Sequence, residues 1–177
     1  MLNPLRAPPV RKPLHPVTAD PIGGMLECHD RIRRFLDGLA RLVALEDLHD
    51  PRAPDAATAC ARYFREGLPL HGLDEDLSLA PRLRAFGNAD VDAALDCMAA
   101  EHAMLDRGLP LVLADLDTLA AGAPVPRKEL VARQEWLDAL LRGHIELEER
   151  VVFPFAREAL DDRQRTDIAA EMRARRA

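Results

Sequence analysis

Apolar residues recur along this chain in steps of three and four, and that rhythm leaves little choice of fold. One stripe runs Ile22, Met25, His29, Ile32, Leu36, Leu39 and Val43. A second runs Ala57, Cys60, Phe64, Gly67, His71, Glu75 and Ser78. A third runs from Val91 through Leu95, Met98, His102, Leu105, Leu109, Val112 and Leu116 to Leu119, and a fourth from Leu130 through Gln134, Leu137, Leu141, His144, Glu148 and Val151 to Phe155. Each is the pattern of a helix that buries one face. Asp20-Pro21 and Asn88 supply N-caps, the first with proline at the opening helical position. These signals predict helices over 20–47, 55–79, 88–120 and 127–156 and a short last helix over 162–175 carrying Ile168 and Met172. Residues 80–89 read as a loop, and Asp50-Pro51, Ala53-Pro54 and 122–126 as connectors. Pro69 predicts a kink or a break near Gly67, and Pro110 a kink in the third helix.

The expected fold is all-α: an antiparallel, up-down-up-down four-helix bundle with a short C-terminal fifth helix packed across its end, its basic tail in water. Residues 1–19, with prolines at 4, 8, 9, 13 and 16, read as an extended Pro-rich N-terminal arm, and 20–177 as one bundle domain. Composition agrees, because aromatics are only 4% and Ala and Leu, strong helix formers, carry the apolar mass. A net charge of −6 excludes a general nucleic-acid binder, which needs a basic face. No apolar stretch approaches the length of a membrane span, and the N-terminus lacks the apolar core of an export signal. Three cysteines, an odd number, argue against a disulfide scaffold and for a reducing compartment. The expectation is a cytoplasmic protein. Cys28, Cys60 and Cys97 are not spaced for redox work and read as packing residues, and Met25, Met98 and Met104 as core fillers.

The histidines carry the chemistry. His15 falls in the arm and His49 in a turn, but His29, His71, His102 and His144 fall one per long helix, each in phase with the buried stripe. A single such histidine is most simply a hydrogen-bonded core residue. Four in phase arise by chance roughly once in a hundred if about two-sevenths of positions face a bundle core. Their heights agree as well. His29 and His71 lie about eighteen and sixteen residues from their shared turn, within roughly 3 Å of one level at 1.5 Å per residue. His102 and His144 match similarly, and both pairs are separated by 42 residues.

Carboxylates complete the pattern. Glu75 follows His71, and Glu148 follows His144, at i,i+4, so each pair shares a helix face. Each histidine is also followed ten residues on by proline, Pro81 and Pro154. Both acidic runs lie toward the expected helix C-termini, where the dipole disfavours anions, and a bound cation would offset that cost. Imidazole with carboxylate suits iron, manganese or zinc, and glutamates placed to bridge suit a pair of metals.

These residues resemble the hemerythrin-like (HHE cation-binding) domain family: His29; His71-x-x-x-Glu75; Glu101-His102; and His144-x-x-x-Glu148-Glu149 with Phe153-Pro154. The resemblance covers about 20–156. It implies a non-haem di-iron centre, two irons per chain, with glutamates bridging and histidines as terminal ligands. The implied metal set is His29, His71, Glu75, His102, His144 and Glu148. Two positions stay open. Oxygen carriers of the family have a second histidine one turn after the third-helix histidine; here that position is Asp106, which ligates, holds a water or faces solvent. The carriers also bridge through a carboxylate at the position of Glu149, whereas Glu148 matches the commoner spacing and is preferred. These departures argue against simple reversible oxygen carriage. The leading expectation is a metal-binding protein that binds or senses O2, NO or iron, acting through a protein partner if it is a sensor. The alternative is a di-iron enzyme that reacts with O2 or peroxide or supplies iron for repair.

Overall fold

The computed structural model describes residues 19–48 and 50–177. Residues 1–18 of the expected arm, with His15, and the turn residue His49 lie outside the described residues. Helix α1 is Pro21–Val43, with the Asp20 carboxylate accepting from the Ile22 N–H and Pro21 in the first turn. Helix α2 occupies 53–84, α3 is Ala89–Ala120, α4 occupies 127–159 and α5 is Asp162–Ala174. No strand occurs among the described residues. Asn88 caps α3 by accepting from the N–H groups of Asp90 and Val91, and Asp161 opens α5 with a reciprocal capping box to Gln164.

Several boundaries differ from expectation: Ala53-Pro54, expected as a connector, opens α2, and α4 runs on to Ala159. Helix α1 stops at Val43, not near Asp47, and the Arg127 guanidinium takes up carbonyls at and beyond its end, Val43 at 2.9 Å, Leu45, and Glu46 at 3.1 Å. A cation there also complements the helix dipole. The expected loop at 80–89 shrinks to 85–88, because α2 continues to Arg84.

That continuation, and the survival of α2 through Pro69, have one cause. Three wide π-helical turns, Tyr63–Gly67, Glu75–Leu79 and Glu148–Val152, close with i→i−5 bonds from Leu68 to Tyr63, Ala80 to Glu75 and Phe153 to Glu148. The next residue each time is Pro69, Pro81 or Pro154, which thus enters the first turn of a new α segment, where its missing N–H is tolerated. Each wide turn also inserts a residue and advances the buried face. In α4 the residues buried after Glu148 are Val152, Phe153 and Ala156, whereas Val151 and Phe155, which the regular stripe puts inside, are only partly covered. Helix α3 runs unbroken through Pro110.

Two apolar clusters form the core. One gathers Ile32, Leu36, Leu39, Phe64, Leu116 and Leu137, and the other Ile22, Met25, Leu79, Leu95, Val152 and Ile168. Between them lies a polar layer: His29 falls between Met25 and Ile32 on α1, and His144 between Leu141 and Val152 on α4. Met104 is exposed and fills no core. The basic tail of α5 does not stay in water either. Arg175 and Arg176 clasp the fully buried Asp74 carboxylate at 2.7 and 2.5 Å, so that anion is neutralised by guanidinium. Both acidic runs prove to lie within helices rather than at their ends, so the dipole gives no argument there.

Gly108 on α3 is required by close approach. A Cβ there would stand 2.2–2.8 Å from the Trp136 ring of α4. Gly108→Ala should therefore destabilise the bundle by about 1–3 kcal/mol despite alanine's better helix propensity. Thermal denaturation of Gly108→Ala, and of the same change combined with Trp136→Leu, checks this: the second substitution should restore much of the loss.

Candidate metal centre

Four buried side chains from three helices converge in the polar layer. Ligand-type atoms of His29, His71, Glu75 and Glu148 lie within 4.8 Å of one another, and those of Glu75, His102 and His144 form a second such set. Glu75 belongs to both. Its Oε1 stands 2.9 Å from His71 Nε2 and its Oε2 3.3 Å from His102 Nε2. Glu148 is arranged likewise, Oε2 at 2.8 Å from His29 Nε2 and Oε1 at 3.1 Å from His144 Nε2. Each carboxylate thus gives one oxygen to either side of the layer. The two i,i+4 pairs do share helix faces as their spacing requires.

Three imidazoles are held from behind by carboxylates. His29 Nδ1–H donates to Glu149 (2.9 Å), His102 Nδ1–H to Asp76 (2.9 Å) and His144 Nδ1–H to Glu101 (2.8 Å). A carboxylate only accepts, so the proton sits on Nδ1 and the Nε2 lone pair turns inward. The Nε2 atoms of His102 and His144 consequently face each other at 3.2 Å, an arrangement that needs a cation or a proton between them. His29 Nε2, His71 Nε2 and all four oxygens of Glu75 and Glu148 are buried without an aligned hydrogen bond. Buried polar atoms are normally satisfied, so this donor set fits a cation.

The outer partners follow one rule. Each adjoins an inward-facing residue in sequence and reaches to the histidine of the next helix: Asp76 of α2 to α3, Glu101 of α3 to α4, Glu149 of α4 to α1. The fourth position in this ring is taken by the Cys28 thiol of α1, beside His71 of α2, without an aligned bond to either ring nitrogen. The roles of Asp76, Glu101 and Cys28 are not legible from periodicity, which describes one helix at a time. The signal that could have found them is the doublet, Cys28-His29, Glu75-Asp76, Glu101-His102 and Glu148-Glu149. Glu149, left open by the sequence, lies behind His29 and also binds Arg33 at 2.8 Å. Asp106 is exposed and belongs to neither set.

Charge sets the protonation of this layer. Burial opposes protonation of His144, but Glu101, Glu148 and Glu75 outweigh it and push its pKa up to about 12. Burial likewise opposes protonation of His102, and Asp76 and Glu75 raise it to about 9. His71 is raised well above the ordinary range, burial being overcome chiefly by Glu75. Glu75 is driven well below its usual value, its own burial overcome by His71 and the other imidazoles. Without metal, protons therefore balance the buried carboxylates.

A helical bundle, without strands among the described residues, that holds a largely buried layer of imidazoles and carboxylates belongs to the class of helical cation-binding proteins. The model of the hemerythrin HHE cation-binding domain family matches residues 20–174, and the chain belongs to that family. No curated protein matches the chain.

Outer carboxylates typically contribute 10–100-fold to metal affinity. Glu101→Gln and Glu149→Gln should each weaken metal binding by roughly that factor with the helix content unchanged, as chelator competition and circular dichroism would measure. A second expectation concerns pH. The stability contributed by protonated His102 is fully present below the ordinary imidazole pKa of 6.5 and is lost as pH rises through about 9. Metal must displace the same proton. Metal-free protein should therefore melt progressively lower from about pH 6.5 to 9, while metal affinity rises over that interval. Thermal melts and chelator competition at both ends of the range check the two opposite slopes.

Proposed function

We propose that this protein holds a non-haem di-iron centre and binds or senses O2, NO or iron. The observation that carries the reading is the division of both glutamates between two ligand sets, Glu75 to His71 and His102, Glu148 to His29 and His144. A carboxylate that gives one oxygen to each side suits two cations rather than one. The proposed ligands are His29, His71, Glu75, His102, His144 and Glu148, with Glu148 rather than Glu149 as the second bridge. Imidazole and carboxylate together suit iron, and also manganese or zinc. When bound, iron would supply a redox-active centre with positions open to small ligands. The residues' own part is to turn the Nε2 atoms inward, hold Glu75 ionised and fix the donors between two apolar clusters.

The reading treats 20–177 as one domain and the bundle as antiparallel, up-down-up-down. Arg127 at the end of α1, and His29 beside Glu149, support α1 and α4 running in opposite directions. Among the described residues no helix is long and apolar enough to cross a membrane. We place the protein in the cytoplasm, where a reducing environment keeps its cysteines free. A second reading, a di-iron enzyme that reacts with O2 or peroxide or supplies iron for repair, is favoured by a cavity of about 250 Å³ that reaches His102 and His144.

Anaerobic titration with ferrous iron should saturate at two equivalents per chain, confirmed by elemental analysis. Saturation at one equivalent would overturn the di-iron reading. Single against repeated turnover of peroxide by the loaded protein separates binding protein from enzyme.

A further inference from the structure

The cavity beside the second ligand set is built from leucine. Leu68 and Leu73 of α2, Leu105 and Leu109 of α3 and Leu141 of α4 line it, together with the imidazoles of His71, His102 and His144. Its volume of about 250 Å³ is several times the roughly 30 Å³ share of one water, and exceeds the roughly 150 Å³ of an apolar cavity that takes benzene. A diatomic gas does not need such room.

Gly72 shows that the space is kept open locally. It lies within the α segment Leu68–Asp74, where glycine weakens a helix relative to alanine. No close approach demands it. A Cβ at position 72 would make only ordinary contact, 3.8 Å, with His102 Cε1 and Nε2. What any longer side chain would do is cover the inward edge of His102 and occupy the cavity that Gly72 lines. The ligand sets point the same way. The cavity touches His71 of the first set and both imidazoles of the second, so it opens on the donor layer itself. Asp106, at the cavity wall, is exposed and supplies nothing to that set.

We propose that this cavity is a binding site for a small, uncharged, largely apolar organic molecule, one or two fused rings in size, held by these leucines beside His102 and His144. What the bound molecule faces rests on the metal-centre reading; the occupancy of the cavity does not.

Indole is a suitable probe, and calorimetric titration of the metal-free and the iron-loaded protein is the experiment. Saturable binding at one equivalent is expected in both forms. Gly72→Leu and Leu109→Trp, which fill the cavity from α2 and α3, should each weaken it at least about tenfold, a loss of about 1.4 kcal/mol, and Leu109→Trp, away from the ligand nitrogens, should do so with iron equivalents unchanged. Two variants on different helices keep the comparison if one fails to fold. Acetate and glycerol, charged and polar, should give no saturable heat. Absence of indole binding up to its solubility limit overturns the proposal, and so does wild-type affinity in the folded variants or equal binding of acetate. Indole binding without iron uptake would sink the metal reading and leave the cavity site standing; iron uptake without indole binding would do the reverse.

Discussion

The polar layer depends on the cost of burying charge. Glu75 and Glu148 are fully buried, and Asp76, Glu101 and Glu149 press on the imidazoles from outside. Uncompensated, such anions would be too costly for a bundle core. His71, His102 and His144 offset the cost by holding protons, or by giving them up to cations that the same carboxylates attract. Two apolar clusters flank the layer, one on either side. The layer is therefore poised between two ways of being neutral, which is the physical basis for reading it as a metal centre.

The backbone meets this demand with wide turns. At Glu75 and Glu148 the helices loosen by one residue just where the shared carboxylate must enter the layer, and proline follows each turn. π-Helical turns are often found at functional sites because they re-aim a side chain without breaking the helix. Behind Glu75, the preceding Asp74 is gripped by Arg175 and Arg176 from the far end of the chain, and Ser78 within the wide turn is tied to Glu171. The last helix thus braces the segment that carries one of the two shared glutamates, and its basic residues are part of the buried architecture rather than a solvated tail.

Much of this molecule can be read in one dimension. A period of three and four sets four long helices and their inward faces, because an α-helix has 3.6 residues per turn and an apolar stripe must be buried. The same arithmetic puts His29 level with His71 and His102 level with His144, and pairs His71 with Glu75 and His144 with Glu148, since these relations lie within one helix or across one short turn. Proline ten residues after His71 and after His144 is visible too, although its consequence, a wide turn instead of a break, depends on how the surrounding core holds the helix together.

What tertiary structure alone decided are relations between helices that periodicity cannot order. The reach of Asp76 to His102, of Glu101 to His144 and of Glu149 to His29 depends on which helix neighbours which and at what rotation. So do the capture of Asp74 by Arg175 and Arg176 across 101 and 102 residues, and the exposure of Asp106, one turn from His102 but outside both ligand sets. Sequence determined most of the side chains that face inward, Val151, Phe155 and Met104 excepted. Packing determined which of them touch, because contact across a bundle is set by interhelical distance and phase, and a single inserted residue in a wide turn shifts that phase.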